Sequence, residues 1–119
     1  MTTQPQAKNI TKGQLAEQIA ATFLQNNGLT VIEKNFRSAY GEIDLIMRDG
    51  KTLVFVEVRL RSNTKFGGAA MSINSSKQQK ITRTAERYLQ LHGDSACRFD
   101  AILMHALDLT AVEWIKDAF

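Results

Sequence analysis

The stretch Gly41–Arg61, GEIDLIMRDGKTLVFVEVRLR, constrains this chain most: two β-branched apolar runs flank Asp49-Gly50. An Asp-Gly pair between such runs is the strongest short-range signal for a β-hairpin, because glycine accepts the positive φ of a tight turn. With Asp49-Gly50 as the two turn residues, Arg48 pairs with Lys51, Asp44 lies opposite Phe55, and Glu42 lies opposite Glu57. Strand alternation then gathers Glu42, Asp44 and Ile46 with Leu53, Phe55, Glu57 and Arg59 on one face. Ile43, Leu45, Val54, Val56 and Val58 turn the other way, into the core.

The acids in these strands call for an explanation. Asp and Glu are disfavoured in strands, and like charges opposite or diagonal to one another destabilise a sheet unless a cation offsets them. In the expected register Asp44 and Glu57 are diagonal neighbours with Cα atoms about 7–8 Å apart, a spacing at which one divalent cation fits between two carboxylates. The compensation is therefore a bound metal or nearby arginines, and otherwise the acids simply lie on a wet face. Hard carboxylate oxygens without His or Cys neighbours favour magnesium or manganese over zinc.

Upstream, Thr11 and Gln14 have capping-box spacing, and Leu15, Ala16, Ile19, Ala20, Phe23 and Leu24 recur with helical period as far as Asn27-Gly28. A helix is expected over about residues 12–27, with Glu17 at the margin of its apolar arc and no cation three or four residues away to pair with it. A strand over residues 29–36 leads to the hairpin. The polar, glycine-containing segment 61–74 reads as a mobile loop. Ser75 and Gln78 suggest a second capping box, opening a helix whose apolar positions include Ile81, Ala85, Tyr88 and Leu89 and which Gly93 ends. Two more strands, 99–105 and 112–115, complete the order α-β-β-β-α-β-β. That order predicts one α/β domain over residues 11–119, with a mixed central sheet flanked by helices, after a disordered tail over 1–10.

At 119 residues, 44% hydrophobic and 23% charged, the chain suits one soluble globular domain. No apolar run approaches membrane-spanning length, and the single Cys97 allows no internal disulfide, which fits a reducing cytoplasm. The net charge of +3 is unevenly spread: residues 59–87 carry +6 and the remainder −3. Such asymmetry points to a polyanionic partner, the plain alternative being a solvated basic face. His92 and His105 have no partner at ligand spacing, and Trp114, Phe99 and Phe119 read as packing residues. Arg98 and Asp100 suggest either a mutual pair across solvent or a buttress of the sheet, with a catalytic role as the lesser reading.

A strand bearing Asp44, a turn, an apolar strand ending in Glu57-Val58-Arg59, and a preceding helix with Glu17 together resemble the PD-(D/E)XK nuclease superfamily, in the arrangement of archaeal Holliday-junction resolvases. More specifically, GEIDLI, FVEVR, the Gly67-Gly68-Ala69 loop, Lys77, Cys97-Arg98-Phe99-Asp100 and the terminal EWIKDAF resemble the YraN-like bacterial proteins, uncharacterised protein family 0102. That likeness runs from about Lys12 onward.

The wider resemblance implies a restriction-endonuclease-like fold and magnesium- or manganese-dependent hydrolysis of DNA phosphodiesters, with branched or structured DNA among the substrates. By motif position it puts metal ligation on Asp44 and Glu57, with Glu17 as a further ligand or water-orienting acid. Arg59 stands where the nuclease motif usually has lysine. Arg61, Lys65, Lys77, Lys80, Arg83 and Arg87 would then meet phosphates. Resolvase relatives act as dimers, so a homodimer is expected, and no membrane association is. Two other readings stay open: a non-catalytic nucleic-acid-binding protein that keeps the nuclease fold, and a protein-interaction module using the same face.

Overall fold

The computed structural model describes residues 9–61 and 73–119. The expected tail over 1–10 lies outside them except for its last two residues, as do Lys65 and the Gly67-Gly68-Ala69 loop.

The first helix, α1 (Lys12–Asn26), begins where the sequence indicates: the Thr11 hydroxyl accepts from the Gln14 N–H, and the Gln14 side chain returns to the Thr11 N–H. Five strands follow, β1 (Thr30–Ser38), β2 (Gly41–Asp49), β3 (Thr52–Leu60), β4 (Cys97–Met104) and β5 (Val112–Ile115), with α2 (Ser75–His92) between β3 and β4. They form one mixed sheet in the order β1-β2-β3-β4-β5, antiparallel throughout except for the β3–β4 pair. Two parallel neighbours need a crossover connection, and α2 supplies it. The expected element order and fold class hold.

The cap of α2 differs from expectation. Asn74, not Ser75, is the N-cap, its side-chain oxygen accepting from the Lys77 N–H at 2.9 Å. Asn is among the best N-caps, and it precedes Ser75 by one residue.

Each face of the sheet is covered by a helix. Leu45, Met47, Val54, Val56, Val58 and Ile102 pack with Ala16, Ala20, Ala21 and Leu24 of α1. On the opposite face Phe36, Ile43, Ile46, Leu53 and Phe55 pack with Ile81, Ala85 and Tyr88 of α2. The face for which a wet setting was the plain alternative is therefore a second core, and any charged group in it must find a partner.

Two details of the hairpin correct the expected register. Asp49 pairs with Thr52, Ile46 with Phe55 and Leu45 with Val56, so Gly50 and Lys51, not Asp49 and Gly50, are the turn residues. Gly50 has φ 61°, which suits the first central position of a type II′ turn, where glycine avoids the Cβ clash. The shift is two residues, and a two-residue shift preserves which face each side chain meets.

The second correction concerns Ile43, which packs on the α2 side although Leu45, two residues on, packs on the α1 side. Alternation breaks at Asp44. Across the strand pair, Asn35 sits between the pairs Lys34–Leu45 and Phe36–Ile43 and has φ 54°. A left-handed residue in a strand reverses the pleat locally, and Asn tolerates that conformation better than most residues.

Candidate active site

The ladder between β2 and β3 ends at Leu45–Val56. Beyond it β2 stays paired to β1 through Gly41, while β3 stays paired to β4 through Leu60. The two strands thus fork, and the fork leaves Val58 N–H without a β2 carbonyl. The Asp44 carboxylate takes that place, its Oδ2 accepting from Val58 N at 2.8 Å. A carboxylate serves this position because a backbone N–H removed from water must be satisfied, and Asp is short enough to do so from the facing strand.

Glu57, on the other prong, is 3% exposed. Its Oε2 lies 2.7 Å from Arg59 Nη2 and 3.3 Å from Lys77 Nζ. Burying a carboxylate is costly unless it is paired, and these two cations make the burial tolerable. Lys77, expected from sequence at a phosphate, thus meets Glu57 from the first turn of α2. Arg59 follows at the second residue after Glu57 because strand alternation returns it to the same face.

The electrostatics of the fork are those of crowded acids. Burial pushes the Asp44 carboxyl up to about 7 from an ordinary 3.8, and the Glu57 charge adds to the rise. The hydrogen bond from Val58 and the Arg59 cation oppose it without cancelling it. Glu17, on α1, is also raised by burial, with the Asp44 charge adding to it, while its hydrogen bond from Asn35 Nδ2 at 3.0 Å pulls the other way. Asn35 therefore acts twice: its backbone turns the pleat at Asp44, and its amide holds Glu17 beside it.

Glu42 departs from its expected place. It pairs across the ladder with Arg37, not Glu57, and their side chains lie 3.6 Å apart. Glu17, Asp44, Glu57 and Arg59 are brought together at the fork, with Lys77 added. Arg61 is exposed just beyond and shares an open hollow of about 340 Å³ with Arg59, Val58 and Gly13. Lys80, Arg83 and Arg87 are exposed along α2, as their helical spacing indicates.

A second buried charge cluster lies on β4. Asp100 is fully buried and accepts from Arg98 Nε at 3.1 Å, from Trp114 Nε1 at 2.9 Å and from the Asp117 N–H at 3.0 Å. Arg98 Nη2 also lies 3.0 Å from Asp49 Oδ2, so one guanidinium joins β4 to the end of β2. Although burial opposes the Arg98 charge, Asp100 and Asp49 hold its pKa above the usual value. Of the two expected arrangements of Arg98 and Asp100 the buttress is the one present, not a pair across solvent, and the roles of Trp114 and Asp117 in it had no signal in spacing.

Among the described residues no helix is long and apolar enough to cross a membrane. Comparison with known proteins gives the family of the chain. Residues 16–104 match the Uncharacterised protein family UPF0102, a span that includes Glu17, Asp44, Glu57, Arg59 and Asp100. The chain is 54% identical over 107 residues to a UPF0102 protein of Methylobacillus flagellatus, covering 90% of this chain and 95% of that one. It is 56% identical over 109 residues to one of Nitrosomonas europaea, covering 91% and 92%. A relative from Shewanella pealeana is 43% identical over 114 residues, covering 95% and 99%. The chain with this forked, acid-lined sheet belongs to the Uncharacterised protein family UPF0102.

Proposed function

We propose that this protein is a magnesium- or manganese-dependent nuclease that hydrolyses DNA phosphodiesters, with branched and otherwise structured DNA as its candidate substrates. The observation that carries this reading is the convergence of Asp44 and Glu57 at the fork, beside Glu17 and a permanent cation. Its single thiol suits work in the cytoplasm.

The donor set suits the ion. Magnesium is held through one or two carboxylates, keeps several waters and takes substrate phosphate as a further ligand. Among the described residues no three His, Cys, Asp or Glu side chains form a ready cage, so Asp44 and Glu57 would hold the ion and leave its other positions to water and phosphate. When bound, the ion supplies positive charge to a phosphate oxygen and makes water more acidic. Glu17, its proton affinity raised, stands to accept a proton at its carboxylate. The Arg59 guanidinium can clamp Glu57 and face negative charge on phosphate.

The binding-protein alternative has one observation in its favour: Glu57 is already matched by two cations, Arg59 and Lys77. A nuclease assay separates the readings. Purified protein is incubated with linear, nicked, flapped and four-way DNA and either metal, with Glu57→Gln as the control for contaminating nuclease. Metal-dependent cleavage is expected from the wild type and from Arg59→Lys, with a loss of about a hundredfold or more in Arg59→Ala while its circular dichroism stays native. Cleavage that persists undiminished in Glu57→Gln, or no cleavage of any substrate, rejects the catalytic reading.

A further inference from the structure

A cleft of about 580 Å³ lies between the β1–β2 turn and the C-terminal half of α2, lined among others by Arg37, Tyr40, Arg83, Glu86, Arg87 and Leu91. Tyr40 is half exposed, at 50%, and the Arg83 guanidinium carbon sits 5.6 Å from the centre of its ring. An exposed tyrosine at a turn ordinarily has rotational freedom. This one sits on a turn tied to α2: Tyr40 N–H donates to Ser38 Oγ at 3.0 Å, and Ser38 Oγ lies 3.2 Å from Thr84 Oγ1. Thr84 is fully buried and is bonded in turn to the Lys80 carbonyl. The neighbouring Gly41 sits close against the helix, where a Cβ would lie 3.7 Å from both Lys80 and Thr84. The ring is thus presented by a tethered backbone, with Arg37, Arg83, Arg87 and Glu86 around it, Arg37 being also paired with Glu42.

We infer that this cleft is a binding subsite for an unpaired nucleotide of single-stranded DNA, the base stacking on Tyr40 and the flanking phosphates meeting Arg83, Arg87 and Arg37. Aromatic platforms recognise unpaired bases irrespective of sequence, because every base has a π face, while cations beside them track the backbone. Intact duplex offers only phosphates here, since its bases are stacked inside. The short β1–β2 turn that carries the cleft leads directly into Gly41–Asp44, so the subsite adjoins the prong of β2 that carries Asp44. The inference rests on the reading of this chain as a DNA-acting protein and deepens it: the preferred DNA has an unpaired segment, as flaps and opened junctions do. Leu91, 53% exposed, adds an apolar wall to the same cleft.

The test is made in EDTA, so that a failure of cleavage and a failure of this subsite are told apart. Fluorescence anisotropy of labelled oligothymidylate and of a blunt duplex of equal length is measured with the full chain at low salt. The wild type is expected to prefer the single strand. Tyr40→Ala should weaken single-strand binding about tenfold and leave duplex binding unchanged, and Tyr40→Phe should restore it. Arg83→Gln and Arg87→Gln should each reduce the salt dependence of single-strand binding, by a slope of about 0.7 per cation lost. The melting temperature of each variant, followed in parallel, shows whether the fold is intact at the assay temperature. Single-strand affinity that survives Tyr40→Ala, equal weakening of single strand and duplex, or equal wild-type affinity for both overturns the subsite and leaves Arg83 over Tyr40 as a clasp for the turn.

Discussion

Asp100→Ala is expected to destabilise the protein by about 3–5 kcal/mol, the cost of removing one partner of a buried ion pair. Asp100 is the common acceptor for Arg98, for the Trp114 indole and for the backbone of Asp117. Its loss leaves a largely buried guanidinium with Asp49 alone, and removes the acceptor of an indole N–H and of the N–H of Asp117, which has φ 51°. The effect is a large share of the total for a domain of this size, since small proteins have only about 5–15 kcal/mol in all. Thermal denaturation followed by Trp114 fluorescence should show a melting temperature lower by roughly 10–20 °C. A drop of only a degree or two would mean that Arg98 is satisfied by Asp49 and that the cluster is dispensable.

The second large effect is a pH dependence at Asp44. A carboxyl whose pKa is raised on folding stabilises the protein fully below its unfolded value and loses that contribution as pH rises through its folded value. For Asp44 the window runs from 3.8 to about 7. Across it the folded state loses on the order of 4 kcal/mol if this acid alone carries the shift. The groups that oppose its ionisation are Glu57 on β3 and Glu17 on α1, and those that favour it are Arg59 and the Val58 N–H. Asp44→Asn preserves an oxygen for Val58 and has no charge to lose. The variant should therefore gain stability over the wild type progressively as pH rises from about 4 to about 7, with no further gain above that. Urea denaturation of both proteins at pH 5 and pH 8 measures it, and an equal difference at the two pH values refutes it.

Magnesium should act on the same balance. At pH 8 an ion bound only by the native state stabilises the wild type by about 2.7 kcal/mol at a hundred times its dissociation constant. Asp44→Asn should abolish that gain. If metal raises the melting temperature of both proteins equally, Asp44 is not a ligand.

Local chemistry was legible wherever it rested on contiguous residues. The Thr11–Gln14 box starts α1 because its two hydrogen bonds need only a three-residue spacing. The hairpin formed because glycine at its turn leaves β-branched runs on either side to pair. The two-residue register shift kept Ile46 and Phe55 on the expected common face, because a shift of two conserves the face, whereas Asp44 meets Glu57 at the fork beyond the end of that ladder. The apolar arc of α2 likewise anticipated the burial of Ile81, Ala85 and Tyr88.

What sequence by itself determined is this set of elements and the alternation that sends Glu57 and Arg59 to one side of β3 and Val54, Val56 and Val58 to the other. Only the tertiary structure decided that both sides are cores, because nothing in the hairpin says that α2 will lie across Phe55 and Leu53. The same packing turned Glu57 from a surface acid into a buried one and brought Lys77, twenty residues away in the chain, to its carboxylate. It also placed Asn35 beside both Glu17 and the break at Asp44, which reversed Ile43. Desolvation depends on what covers a group and charge coupling on distance in space, and neither is a function of sequence separation.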